Sequence, residues 1–165
     1  LLEHGRMGPH QAMQFEQVAG ELLSAIGGLF DDAERIRIHG DCHGGNILNR
    51  PGEGLMLIDF DDMMAGPPIQ DVWLLLPGKL EDCRFEMDLL IRGYEQFRDF
   101  DREALRLIEP LRAMRMIYYL AWCSHQLDDY RFRQDRPDWG GDAFWRREIA
   151  DLRAQVREIS EKLKS

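Results

Sequence analysis

After Pro9 the apolar positions Phe15, Val18, Ala19, Leu22, Leu23, Ile26 and Leu29 recur at three- and four-residue spacing. That period predicts an amphipathic helix, which Gly27 and Gly28 weaken near its end. Arg35-Ile36-Arg37-Ile38 alternates and predicts a short strand; Leu55-Met56-Leu57-Ile58, an apolar run behind the turn-forming Pro51-Gly52-Glu53-Gly54, predicts another. Between them lies the polar, glycine-rich HGDCHGGNILN, in which Ile47 and Leu48 begin a return strand. Beyond Gly66 the pattern turns helical. Ile69 to Leu76 predicts a turn or two, Phe85, Leu89, Leu90, Tyr94 and Phe97 one helix face, and Leu111, Met114, Ile117, Tyr118 and Ala121 another. Asp142 reads as the N-cap of a last helix with Trp145, Ile149, Leu152, Val156 and Ile159 on its apolar side, a heptad-like run too short for a coiled coil. Helices packed around one small β-hairpin region make a mostly helical α+β domain.

Composition narrows the class. The chain has 165 residues, 44% of them hydrophobic and 31% charged, which suits one soluble globular core. A formal charge of -9 repels phosphate backbones and anionic lipid, so no nucleic-acid and no membrane partner is expected. Nucleotide binding stays open, because a metal ion can carry the compensating charge. Cys42, Cys83 and Cys123 are widely spaced with no CxxC pair, which reads as free thiols in a reducing, cytoplasmic setting. The start at Leu1 with an unpatterned opening reads as a cut from something longer.

The chemistry concentrates in the central loop. His39-Gly40-Asp41 is followed by Asn46 five residues after the Asp, and then by Ile58-Asp59-Phe60 at the end of an apolar strand. Phosphoryl transfer needs one carboxylate on a rigid loop beside the acceptor hydroxyl, and Asp41 fits that role as catalytic base. It also needs the triphosphate neutralised by Mg²⁺, a hard cation that takes oxygen ligands; Asn46 and Asp59 supply an amide oxygen and a carboxylate. The protein-kinase signature sets its catalytic Asp and metal-binding Asn at the same interval. Here, however, Gly40 precedes the Asp and IDFDD replaces the Asp-Phe-Gly triplet.

HGDxHxxNIL followed by IDFDD resembles the aminoglycoside phosphotransferase superfamily, which also includes choline kinases and is similar in fold to protein kinases. GPPIQDVWLLLPG and IEPLRAMRMIYYLAW narrow the resemblance to the stress response kinase A family, a bacterial group of Ser/Thr protein kinases; it runs from about Ile36 to about Trp145. The resemblance implies Asp41 as proton acceptor, Asn46 and Asp59 as magnesium ligands, Asp59 as an essential active-site carboxylate, and Asp71 as a buried acid bracing the loop. ATP is the implied co-substrate and a protein Ser or Thr the implied acceptor, in a bacterial stress response. The strand-borne Lys, its Glu partner and the phosphate-covering loop are not recognisable, so residues 1–165 read as the C-terminal, catalytic-loop lobe without its N-terminal ATP-binding partner. The fragment alone is expected to be inactive and to expose an apolar surface that invites self-association.

Other readings stay beside this one. A small-molecule kinase acting on an amino alcohol or aminoglycoside would use the same loop, and a non-catalytic helical interaction module would need none of it. His39 and His43 with Asp41 and Asp59 are also the residue types of a transition-metal site. In the kinase reading His39 braces the loop and His43 lies near the acceptor without an assigned role. Asp61 and Asp62 read as helix-capping or solvated residues, and Cys42 as a packing residue. Trp122, Trp139 and Trp145 read as core or groove aromatics. Arg131, Arg133, Arg136, Arg146 and Arg147 form the chain's basic concentration, either a solvated face or a dock for an acidic segment.

Overall fold

The computed structural model describes residues 1–163, as mostly helix with two small antiparallel sheets. The chain divides into a helical unit, Leu1–Phe30 with Glu109–Ser165, and a loop-bearing unit, Asp31–Ile108.

In the helical unit α1 spans Pro9–Ile26, with Pro at its first position and the Gln11 side chain accepting from the Gly8 amide at 3.1 Å. Its end follows the glycine signal: the Gly27 amide bonds back to Leu23 O, and Gly28 has φ +82°. Helix α6, Asp142–Lys162, buries Phe144, Trp145, Ile149, Leu152 and Ile159, a stripe at the predicted spacing. Gly141 holds the N-cap position expected for Asp142. Asp142 is instead the first helical residue and accepts from Gln11 Nε2 at 2.8 Å, joining the starts of α1 and α6. Phe15 and Val18 pack in one cluster with Leu120, Trp139, Phe144, Trp145, Ile149 and Leu152, and Leu22 and Ile26 pack in another with Ala113 and Ile159. Each fully buried aliphatic or aromatic side chain contributes about 1.5–3 kcal/mol. Trp145 also donates its indole N–H to Gly5 O at 2.8 Å, so its polar edge is satisfied in the core.

Helix α4, Ile108–Ser124, and the short α5, Tyr130–Asp135, complete this unit's helices. On α4 the buried side carries Leu111, Ala113, Leu120 and Cys123; of the expected face Leu111 is buried and Ile117 packs against the core, whereas Met114 and Tyr118 are exposed. Asp129 starts α5 by accepting from the Phe132 amide at 2.8 Å. Buried Glu109 accepts from Gln155 Nε2 at 2.7 Å and Arg112 Nε at 3.1 Å, so its charge is not left unpaired.

In the loop-bearing unit β1, Ile36–Ile38, pairs with β4, Met64–Gly66, and β2, Ile47–Arg50, pairs with β3, Gly54–Leu57. The hairpin register sets Ile47 opposite Leu57 and Arg50 opposite Gly54, as the Pro51–Gly54 turn requires. Strand β4 is an addition to the expected elements: Met-Ala-Gly carries no alternation to announce it, and pairing with β1 defines it. Two helices follow, α2 at Ile69–Trp73 and α3 at Arg84–Tyr94, then a 3₁₀ helix at Arg102–Leu107. Helix α3 buries Met87 and Ile91, not the expected face, since Phe85 and Leu89 are exposed and Phe97 lies beyond the helix. Among the described residues no helix is long and apolar enough to cross a membrane.

Candidate phosphotransfer site

The loop that leaves β1 is tied down from α2. Asp71 accepts from the His39 amide at 2.7 Å and the Gly40 amide at 2.9 Å, one carboxylate oxygen to each. Gln70 Nε2 donates to Gly40 O at 3.0 Å, and its own Oε1 accepts from the Trp73 indole at 3.2 Å. Three backbone groups of His39 and Gly40 are thereby fixed by two adjacent side chains. Asp71 is half-buried, less enclosed than expected, but it makes the expected brace. Gln70 is a brace that sequence reading missed; its signal is only its place beside Asp71.

Gly40 has φ +87°, and a Cβ there would lie 2.2 Å from Asp62 O. No side chain fits that approach. The buried His39 ring reaches Ile58 O from Nε2 at 2.9 Å and stacks at a tilt on Phe60, with centroids 4.8 Å apart. A carbonyl only accepts, so Nε2 carries the proton. His39 is thus the expected brace, made to the strand end that precedes Asp59.

Asn46 closes the loop on Asp41. Its Nδ2 donates to Asp41 O at 3.0 Å and Asp41 Oδ2 at 3.3 Å, while its backbone O accepts from the Ile58 amide at 3.0 Å. His43 Nδ1 accepts from the Gly45 amide at 2.9 Å, so the neutral ring holds its proton on Nε2, which lies 3.3 Å from Asp41 Oδ2. Gly45 permits this seat, since a Cβ there would come within 2.7 Å of the His43 ring. His43 therefore has a geometric partner that the sequence did not disclose: the carboxylate of Asp41.

Ile58 is held on both sides, by Asn46 through its amide and by His39 through its carbonyl. Asp59 follows at once, exposed and with φ +64°, a left-handed conformation in a non-glycine residue. Asp61 and Asp62 lie in the turn leading to β4, so no helix is there for them to cap. Asp61 is exposed and Asp62 half-buried.

Among the described residues no three His, Cys, Asp or Glu side chains converge on one point. The donors to weigh for a cation are therefore Asn46 and Asp59. With Nδ2 turned to Asp41, the Asn46 amide keeps Oδ1 for another partner, and Asp59 offers an exposed carboxylate. Two oxygen donors suit a hard cation that retains water. Cys42, next to Asp41, is buried; desolvation first, and the negative charges of Asp71 and Asp41 next, push its thiol above the ordinary range. That thiol stays protonated and packs, as its sequence context suggested.

The basic concentration over residues 131–147, and Trp122, Trp139 and Trp145, belong to the helical unit. Arg146 pairs with Asp142, and Arg147 with Asp138 and Glu148, all at the surface. Trp139 and Trp145 are core residues, whereas Trp122 is exposed.

The profile of the phosphotransferase enzyme family matches residues 7–108, a stretch that includes Asp41, Asn46, Asp59 and Asp71. Stress response kinase A of Escherichia coli (strain K12) is 40% identical over 148 residues, covering 89% of this chain and 44% of that protein. Stress response kinase A of Salmonella typhi is 39% identical over 152 residues, 92% of this chain and 46% of that protein. A Salmonella typhimurium protein described as serine/threonine protein kinase RdoA is similar to the same extent. The chain thus spans a little under half the length of the curated relatives it matches.

Proposed function

Because this chain belongs to the phosphotransferase enzyme family, we propose that it carries the acceptor-activating and metal-holding part of an ATP-dependent kinase site, one that moves the γ-phosphate to a hydroxyl of a protein Ser or Thr. The relatives' names, stress response kinase A and serine/threonine protein kinase, support the reaction, the acceptor class and the stress-response setting. One observation carries the reading. Asn46 is bonded at once to Asp41 through its side chain and to Ile58 through its backbone, so the base and the residue preceding Asp59 share one anchor.

In this reading Asp41 accepts the proton of the attacking hydroxyl. Asn46 and the His43 ring hold the Asp41 carboxylate in one orientation, which lowers the entropy cost of aligning the acceptor. Asn46 and Asp59 would hold Mg²⁺, which when bound neutralises charge on the phosphates. His39, Gln70 and Asp71 act through the loop backbone and touch no reacting group. The relatives are about twice as long as this chain, and in this reading the groups that position the nucleotide are not among the residues named above.

The test is γ-phosphate transfer from labelled ATP to a Ser/Thr substrate protein by the full-length protein, beside nucleotide titration. Asp59→Ala should weaken Mg²⁺-dependent nucleotide binding. Asp59→Ala binding nucleotide as tightly as the parent would remove Asp59 from the metal site, and phosphate appearing on a small amino alcohol but on no protein would replace the acceptor class.

A further inference from the structure

Two peptide groups flank Asp41, and each is held by a side-chain amide. The one after it has its oxygen, Asp41 O, bonded by Asn46 Nδ2 at 3.0 Å and by the His43 amide at 2.9 Å. The one before it has its oxygen, Gly40 O, bonded by Gln70 Nε2 at 3.0 Å. Peptide groups are planar, so fixing both planes fixes φ and ψ of the residue between them, and with them the direction in which its side chain leaves the backbone.

The plane before Asp41 needs the hold more. Asp71 binds the His39 and Gly40 amides, which belong to the two peptides before that plane. Gly40 itself, at φ +87°, has no Cβ to resist a turn of the Gly40-Asp41 plane about its own ψ and the φ of Asp41. The bond from Gln70 resists it. Gln70 is in turn oriented by Trp73, whose indole N–H only donates and does so to Gln70 Oε1 at 3.2 Å, which leaves Nε2 to face the Gly40 carbonyl. The two residues lie three apart on one side of α2. Trp73 is buried, and Pro67 and Pro68 fix the helix entry by accepting from the Gln70 and Asp71 amides. A chain of contacts thus runs from a buried ring through one amide to the peptide that carries Asp41.

On the reading of Asp41 as catalytic base, on which this rests, we propose that Gln70, oriented by Trp73, is a positioning residue that locks the Gly40-Asp41 peptide plane and so aims the carboxylate at the acceptor hydroxyl. Two side chains of α2 that touch no reacting group thereby carry part of the rate. Their work is separate from that of Asn46, whose oxygen is assigned to the metal, and from that of Asp71, which holds the loop before this plane.

Gly-Asp occurs twice in the 165 residues, at Gly40-Asp41 in the loop and at Gly141-Asp142 at the start of α6. Labelling glycine with carbon-13 at the carbonyl and aspartate with nitrogen-15 therefore gives two NMR correlations in this chain, one from the peptide in question and one as internal control. Gln70→Glu keeps an acceptor for the indole but sets a second acceptor against Gly40 O; Gln70→Met, of similar length, offers neither bond. In both variants the Gly40-Asp41 signal should shift or broaden while Gly141-Asp142 stays in place. In the full-length protein kcat should fall about tenfold or more in Gln70→Glu and less in Gln70→Met, with KM for ATP and the melting temperature near the parental values. Trp73→Phe should lower kcat in the parent but no further in Gln70→Met, because the orienting bond is already gone there; a general loss of packing would add to it instead. An unmoved Gly40-Asp41 signal, equal movement of both signals, parental kcat in both Gln70 variants, or additive effects of Trp73→Phe and Gln70→Met would each overturn the proposal. Parental turnover in Asp41→Asn is a different failure: it removes the base and the catalytic role of Gln70 with it, while the two NMR signals still decide whether Gln70 locks the plane.

Discussion

In the helical unit Trp145 is wholly buried among Phe15, Trp139 and Phe144; in the loop-bearing unit Asp41 and Asp59 sit half-buried and exposed. The first region is held by area removed from water and tolerates little loss of volume. The second is held by a short chain of hydrogen bonds, from Asp71 and Gln70 to the loop backbone, from Asn46 to Asp41, and from His39 to Ile58. The difference separates the costs of mutation. A core change should act on stability, whereas a change at Asp41 should act on rate, and a brace should do some of each.

Trp145→Ala tests the first half of that contrast. It removes the largest fully buried side chain and leaves Gly5 O without its donor, so the loss should be about 3–5 kcal/mol. Chemical denaturation with near-ultraviolet circular dichroism reads it. A loss below about 1 kcal/mol would mean that this core is not what holds the unit.

Asp41→Asn tests the second half. In the full-length protein turnover should fall about a hundredfold or more, with nucleotide affinity and melting temperature nearly unchanged. If the variant turns over at the parental rate, the carboxylate is no base. If it melts much earlier, the loop is structural after all, and the contrast between the two regions fails.

Asp71→Asn lies between these extremes. One amide oxygen cannot serve both the His39 and Gly40 amides, and the NH₂ group would face a donor, so a loss of about 1–3 kcal/mol is expected. Because the loop carries Asp41, turnover should fall as well. Amide exchange at His39 and Gly40, measured by mass spectrometry or NMR, should accelerate before exchange in α1 or α6. Uniform acceleration across both units would show that Asp71 supports the whole chain instead of one loop.

The smallest effect concerns Glu148, whose carboxyl is pushed above the ordinary range mainly by burial, with Arg147 opposing the shift. A folded-state pKa raised above the unfolded one favours folding at pH below the unfolded value, and that contribution disappears as pH rises through the folded pKa. Glu148→Gln should therefore gain on the parent at neutral pH, by under about 1 kcal/mol, and lose that gain near pH 4. Melting curves at the two pH values decide it. An equal difference at both would point to packing and not to ionisation.

The sequence by itself determined the elements whose signal is local. Apolar spacing announced α1 and α6, Gly27-Gly28 marked the end of α1, Pro51 to Gly54 set the hairpin turn, and the order of Asp41, Asn46 and Asp59 announced the candidate chemistry. Tertiary structure alone decided what depends on partners distant along the chain. Strand β4 exists because three residues without alternation find β1, and α3 buries Met87 and Ile91 because only one of its two apolar stripes is covered. Periodicity records which residues are apolar, but which of two stripes meets the core depends on the neighbours that folding brings to it. The same reason hid Gln70 as a brace, His43 as a partner of Asp41 and the exposed Trp122, for in each case the deciding contact or its absence joins residues that no local pattern links.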